Sequence, residues 1–149
     1  IIDLDEAKKI IGNHGGELLV VNFWATWCAP CVKELPYFQS AHQEYRDDGV
    51  RVVGMCMDLF AYEDEWKDYT FKTIEEKELT FPNFQGQFDT TVAVPFFSEA
   101  WEGALPATFY YDKNGKKLGE RLGAVEKETL MADIEKYLGK DQLQEAATE

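Results

Sequence analysis

Apolar positions along this chain follow two rhythms. Leu18 to Phe23 and Val50 to Met57 are nearly unbroken apolar runs, the pattern of strands covered on both faces. Ala107 to Tyr111 (ATFYY) is a third short run, and Asp112-Lys113-Asn114-Gly115 behind it supplies strong turn chemistry. Lys116 to Leu122 then reads as the returning strand of a hairpin. Elsewhere apolar residues recur every three or four positions, which predicts helices. In the first, capped by Asp3 or Asp5, Leu4, Ala7, Ile10 and Ile11 share a face, and Gly12 with Gly15-Gly16 ends it. The second runs from about Cys31 to Arg46, with Val32, Leu35, Phe38, Ala41 and Tyr45 turned inward. Pro36 removes one of its backbone donors, so a kink is expected there, and Gly49 closes the helix.

The block from Glu63 to Glu78 is charged, yet Trp66, Tyr69, Ile74 and Lys77 stand at helical spacing, with Phe71 off that face. Phe81 to Trp101, interrupted by Pro82 and Pro95 and followed by Gly103, is expected to be mostly loop with one short helix. Glu126 to Leu138 is a final helix with Leu130, Ile134, Tyr137 and Leu138 inward, and the polar tail from Lys140 to Glu149 is expected to fray. The order is βαβ, then helix and loop, then a β-hairpin and a helix. That is an α/β sandwich, and with neither linker nor internal repeat residues 1–149 form one expected domain.

Charge narrows the function classes. The net charge of −13 repels phosphates, which argues against nucleic acid and anionic membrane as partners. Its plain meaning is solubility. No apolar run approaches the roughly 20 residues that cross a bilayer. The chain opens at Ile1 without a basic region or a signal-like apolar segment, so it is expected to be a processed or trimmed product with any targeting segment or tether upstream.

Three cysteines cannot all pair internally, so one pair and one spare is the sensible count. Cys28 and Cys31 stand between the first strand and the opening of the second helix. Free N–H groups and the helix dipole favour an anion at that place, which lowers a thiol pKa and makes Cys28 the expected nucleophile. Cys31, one turn in, suits the resolving role. The competing readings are half of a zinc site or two unpaired core thiols. Zinc needs about four ligands, and only Cys56, His14 and His42 are left to supply them, with no second paired motif. Cys56, in mid-strand, reads as a buried and inert thiol, and both histidines read as structural or surface residues.

The string Phe23-Trp24-Ala25-Thr26-Trp27-Cys28-Ala29-Pro30-Cys31, followed by Glu34-Leu35-Pro36, resembles the thioredoxin superfamily, and within it the exported TlpA/ResA-like branch. Val52 to Asp58 resembles that family's second strand, Ala104-Leu105-Pro106-Ala107-Thr108-Phe109 its cis-proline segment, and Tyr111 to Lys116 its hairpin. Together these cover about Leu18 to Leu138, with Leu59 to Trp101 matching only loosely. The resemblance implies a thioredoxin-like three-layer sandwich, a central mixed β-sheet flanked by helices. It also implies Pro106 as the cis-proline beside the dithiol, with Pro95 a weaker candidate, and leaves the Leu105 backbone free to pair with a bound strand. An ordinary turn proline is the alternative. Cytosolic thioredoxins carry a buried acid where this chain has Asn22. Glu34, an acid in the exported branch as well, is expected to substitute for it; a solvated surface glutamate is the alternative. Trp27, Ala29, Pro30 and Leu105 are the expected substrate contacts, and Trp24 is expected in the core.

The function implied is that of a protein-disulfide oxidoreductase, reducing envelope proteins through the dithiol without a bound cofactor. Its expected partners are disulfide-containing proteins and a membrane or envelope electron donor, and it is expected to act as a monomer without inserting into the membrane. The compartment implied is the bacterial periplasm or extracytoplasmic envelope. Three other functions fare worse, and the intact cysteine pair argues against the first, a non-catalytic interaction domain. Copper delivery on the same fold calls for Cys-x-x-x-Cys and a distal loop histidine, but the spacing here is one shorter and no histidine follows His42. A peroxidase calls for Pro-x-x-x-Thr-x-x-Cys, and Thr26 is two residues before Cys28 rather than three.

Overall fold

The computed structural model describes residues 1–139, so the polar tail expected from Lys140 lies outside the described residues. Five strands form one mixed sheet in the order β3-β2-β1-β4-β5. β1 (Leu18–Trp24) lies at its centre, parallel to β2 (Val50–Cys56) and antiparallel to β4 (Ala107–Asp112). All seven β1 residues are buried, as the unbroken apolar run requires. β5 (Lys117–Leu122) closes the hairpin and β3 (Asn83–Gln85) forms the far edge. This is the thioredoxin-like architecture.

Helices cover both faces. α1 (Leu4–Gly12) is capped by Asp3, not Asp5, through a reciprocal capping box with Glu6. α2 (Ala29–Tyr45) starts two residues earlier than the periodicity suggests and runs through Pro36, which is exposed. It and α6 (Lys127–Tyr137) pack Leu35, Phe38, Leu130 and Ile134 onto the face of β1 that carries Leu18, Val20 and Trp24. The opposite face carries an aromatic cluster in which Phe23 meets Phe97, Trp101 and Phe109 at ring-centroid distances of 4.8, 5.0 and 5.6 Å. α6 is further tied to the hairpin, since Asp133 accepts hydrogen bonds from Tyr110 and, through both oxygens, from Arg121.

The segment between β2 and β4 departs most from expectation. A short α3 (Leu59–Tyr62) and a turn of 3₁₀ helix lead into α4 (Trp66–Glu76). α4 buries Thr70, with Trp66, Thr73 and Ile74 half-buried beside it, and leaves Tyr69 and Lys77 exposed. The inward face therefore turns on a threonine that apolar periodicity passes over. Phe81 to Trp101 holds the expected short helix, α5 (Thr90–Phe97), with Pro95 inside it, but also contains β3. β3 pairs in parallel with the end of β2, and Asn83 ties it sideways: its Oδ1 accepts from Trp24 Nε1 at 3.0 Å and its Nδ2 donates to Phe81 O at 3.1 Å.

Asn83 crosses directly over Gly54, where a Cβ would collide with the Asn83 amide. Gly54→Ala is expected to break this bridge and destabilise the protein by about 1–3 kcal/mol, the scale of overpacking or of stranding a buried polar group. Urea denaturation of the purified variant measures it.

Candidate active site

The C-terminal end of β1 hands the chain to α2 through a tight loop. Trp24 O accepts from Met57 N at 2.9 Å, and Ala25 O accepts from Cys28 N at 3.2 Å, which turns the loop back on itself. Cys28 takes the N-cap position of α2, with its Sγ 3.3 Å from the Cys31 amide. Ala29 and Pro30 form the first turn, where a missing proline N–H costs nothing. No acidic residue occupies that turn to offset the dipole. Cys28 and Cys31 are joined in a disulfide across a Cα separation of 5.3 Å. Cys28 keeps 7% of its surface and Cys31 none, so only the first sulfur is open to a partner.

The other site residues converge on this end of the sheet, with the Leu105–Pro106 peptide bond cis. The register sets Ala107 opposite Phe23, which brings Pro106 beside the loop that carries Cys28. Pro95 lies away from it, inside α5. Trp27 is 51% exposed, whereas Trp24 is fully buried. Trp27 and Leu105 line a cleft of about 280 Å³ with Phe60, Val94, Trp101 and Glu102. Ala29, Pro30 and Lys33 border a second cleft against Val125.

Glu34 is buried beneath the dithiol, 2% exposed, rather than solvated on the helix surface. Asn22 Nδ2 donates to its Oε1 at 3.2 Å, and Val125 N donates to its Oε2 at 2.9 Å. Burial favours the neutral acid more than these donors favour the ion, so the pKa is pushed up to about 7. Asn22 Oδ1 and, opposite it on β4, Thr108 Oγ1 have no hydrogen-bond partner among the described residues, so this part of the core is polar beyond its own contacts.

A second buried acid, Asp58, closes the Val52–Asp58 string that resembles the family's second strand, and no role is read for it from the sequence. Asp58 Oδ1 accepts from Thr26 N and Thr26 Oγ1 at 2.8 and 2.9 Å, and its Oδ2 accepts from Thr70 Oγ1 at 2.6 Å. Gln85 Nε2 donates onward to Thr70 at 2.8 Å. Its place at the end of a buried strand, within the family-like string, is the signal the sequence offers. Cys56 adjoins this network, and burial, with the Asp58 charge beside it, pushes its thiol up to about 12. His14 binds Asp112 O and Gly16 N, and with His42 it borders a separate cleft that contains neither site cysteine.

Glu34 makes stability depend on pH. Its folded pKa lies above the ordinary 4.5, so the stabilisation it gives is full below that value and is lost as pH rises through about 7. The loss amounts to up to about 3 kcal/mol at ~1.4 kcal/mol per pKa unit. Glu34→Gln is expected to flatten this slope, as read by urea midpoints between pH 5 and 8.

Comparison with known proteins agrees with this geometry. Residues 4–116 match the AhpC/TSA family. The thiol-disulfide oxidoreductase ResA of Bacillus thuringiensis subsp. konkukian is 30% identical over 146 residues, covering 94% of this chain and 72% of that protein. ResA of Geobacillus kaustophilus is 31% identical over 139 residues, with 93% and 71% covered. Among solved structures, a putative thiol:disulfide interchange protein DsbE from Chlorobium tepidum superposes with a TM-score of 0.65 at 26% identity, covering 84% of this chain and 82% of its own. A thiol:disulfide interchange protein from Bacteroides sp. gives 0.65 at 26% identity, with 91% and 78% covered. A disulfide at the helix N-terminus, a cis-proline beside it and relatives of this kind agree: the chain belongs to the AhpC/TSA family of thioredoxin-fold proteins, among its ResA-like members.

Proposed function

We propose that this ResA-like thiol–disulfide oxidoreductase reduces disulfides of other extracytoplasmic proteins, with Cys28 attacking and Cys31 resolving. The observation that carries the reading is the disulfide at the N-cap of α2, with one sulfur reachable and the other enclosed. In the reduced protein the Cys28 thiolate attacks one sulfur of a substrate disulfide. The substrate's other sulfur leaves as a thiolate and takes up a proton. Cys31, deprotonated, then attacks Cys28 Sγ and releases the second substrate thiol. The protein ends as the Cys28–Cys31 disulfide and needs two electrons from a donor dithiol, proposed to belong to a membrane or envelope protein.

Glu34 is proposed to receive the Cys31 proton: three residues along α2, buried like Cys31, with a pKa of about 7 that keeps both of its forms populated near neutral pH. Trp27, Ala29, Pro30 and Leu105 are proposed to contact the substrate chain around its disulfide. Pro106 offers no N–H to compete for a sulfur. The resemblance to the exported branch supports the compartment, and among the described residues no helix is long and apolar enough to cross a membrane. The copper reading finds no support: the histidines stand at a cleft apart from the cysteines, and the matched relatives are thiol–disulfide proteins.

Direction follows from thiolate stabilisation, because a protein that strongly stabilises its thiolate favours the reduced form and becomes an oxidant. No histidine lies between the cysteines here, and two buried acids stand on the adjoining chain: Glu34 three residues past Cys31, and Asp58 bonded to Thr26 two residues before Cys28. The dithiol is therefore expected to equilibrate with glutathione at a potential more negative than about −180 mV. In the same preparation Cys31→Ser is expected to accumulate mixed disulfides at Cys28 with extracytoplasmic proteins. A potential above that level, or trapping through Cys56, would overturn the reading.

For Glu34, stopped-flow turnover of a model disulfide is the check. Glu34→Gln is expected to slow resolution about tenfold, within the usual range for a lost acid–base group, and to abolish an inflection near pH 7. An unchanged profile returns Glu34 to a purely structural place.

A further inference from the structure

We infer that Asp58 is a positioning residue for the dithiol: its carboxylate holds the Thr26–Cys28 loop and biases the cysteine pair toward giving up its electrons. This rests on the redox function proposed above and concerns what sets that function's equilibrium.

Asp58 is fully buried, two residues past the end of β2. It takes both the backbone N–H and the hydroxyl of Thr26, two residues before Cys28. Its other oxygen is held by Thr70 of α4, which in turn takes Gln85 of β3, and Gln85 Oε1 accepts from Leu59 N at 3.3 Å. The loop ahead of the nucleophile is thus fastened from three elements through one carboxylate. Among the described residues no lysine, arginine or histidine forms an ion pair with it.

A buried carboxylate without a counter-ion is expensive, even when hydrogen-bonded. An asparagine would accept the same two bonds from Thr26. Relative to asparagine, then, the acid adds negative charge and an acceptor for Thr70. Reducing the Cys28–Cys31 disulfide adds two electrons and two protons, and loss of a proton then leaves negative charge on Cys28 Sγ. The disulfide carries no such charge. A neighbouring carboxylate therefore disfavours the reduced, thiolate form and leaves the disulfide untouched. That favours passing electrons on to a substrate. The helix dipole pulls the other way, and Glu34, on the α2 side, is unchanged in each variant below.

The test equilibrates the full chain with reduced and oxidised glutathione. Asp58→Asn keeps the acceptor for Thr26 and removes the charge. Its equilibrium is expected to move about tenfold toward the dithiol, which is a potential about 30 mV less negative. Thr26 amide hydrogen exchange is expected to stay slow in Asp58→Asn and to quicken at least tenfold in Asp58→Ala, on the premise that the lost acceptor frees the amide. Thr70→Val keeps the charge and weakens the network, so no shift toward the dithiol is expected. A shift there as large as in Asp58→Asn would mean that loosened packing, not charge, moves the equilibrium, and would overturn the inference even if Asp58→Asn failed to fold. An Asp58→Asn equilibrium within twofold of the parent would also overturn it. A parent protein that does not exchange with glutathione at all would instead overturn the redox function itself.

Discussion

A strand buried on both faces has no freedom of register, because a slip of one residue turns every side chain to the wrong layer. β1 is such a strand along all seven residues. Its one face holds Leu18, Val20 and Trp24 against α2 and α6, and its other holds Leu19, Val21 and Phe23 in the aromatic cluster with Phe97, Trp101 and Phe109. Cys28 follows four residues after the strand ends, through a loop closed by the Ala25–Cys28 hydrogen bond. The sulfur's position is therefore set by core packing on both sides of the sheet. The chemistry at the helix N-terminus inherits its precision from that packing.

Electrostatics around the cysteines are balanced between opposing sources. The open N-terminus of α2, free of acidic side chains in its first turn, attracts negative charge to Cys28. Glu34 lies buried on α2 three residues past Cys31, and Asp58 lies buried after β2, bonded to Thr26 two residues before Cys28. Neither is cancelled by a cation in an ion pair among the described residues. The helix end and the acids thus act on negative charge at the dithiol with opposite sign.

Legibility in the sequence followed contact range. The strand runs, the Asp112–Gly115 turn and the Cys-x-x-Cys setting are local patterns that show in a window of a few residues, and the cap of α1 is narrowed to Asp3 or Asp5, of which the structure uses Asp3. β3 does not, because its three residues are too few to show periodicity and their ties are distant: the ladder to β2 and the Asn83 bond to the indole of Trp24, 59 positions away. The inward face of α4 differs from the apolar spacing for the same reason. Its buried residue is a threonine whose partners, Asp58 and Gln85, lie 12 and 15 positions off. Polar contacts across the fold leave little trace in a hydrophobic pattern. The cis bond at Pro106 was legible only through the family resemblance, since a proline in a strand-edge segment has several ordinary explanations.

Asn22 shows how the acid could move without the site losing it. A carboxyl on β1 at that position would point into the layer beneath α2; here an amide stands there and donates to Glu34, which enters the same layer from the helix. Glu34 is anchored again by the Val125 amide, so its two oxygens are held from β1 and from the turn ahead of α6. An acid on the helix is thereby as rigid as one on the strand, and it shares a helix face with Cys31 three residues before it. Burial then does the tuning. It carries the group up to about 7, where a small change in its surroundings decides whether it holds a proton.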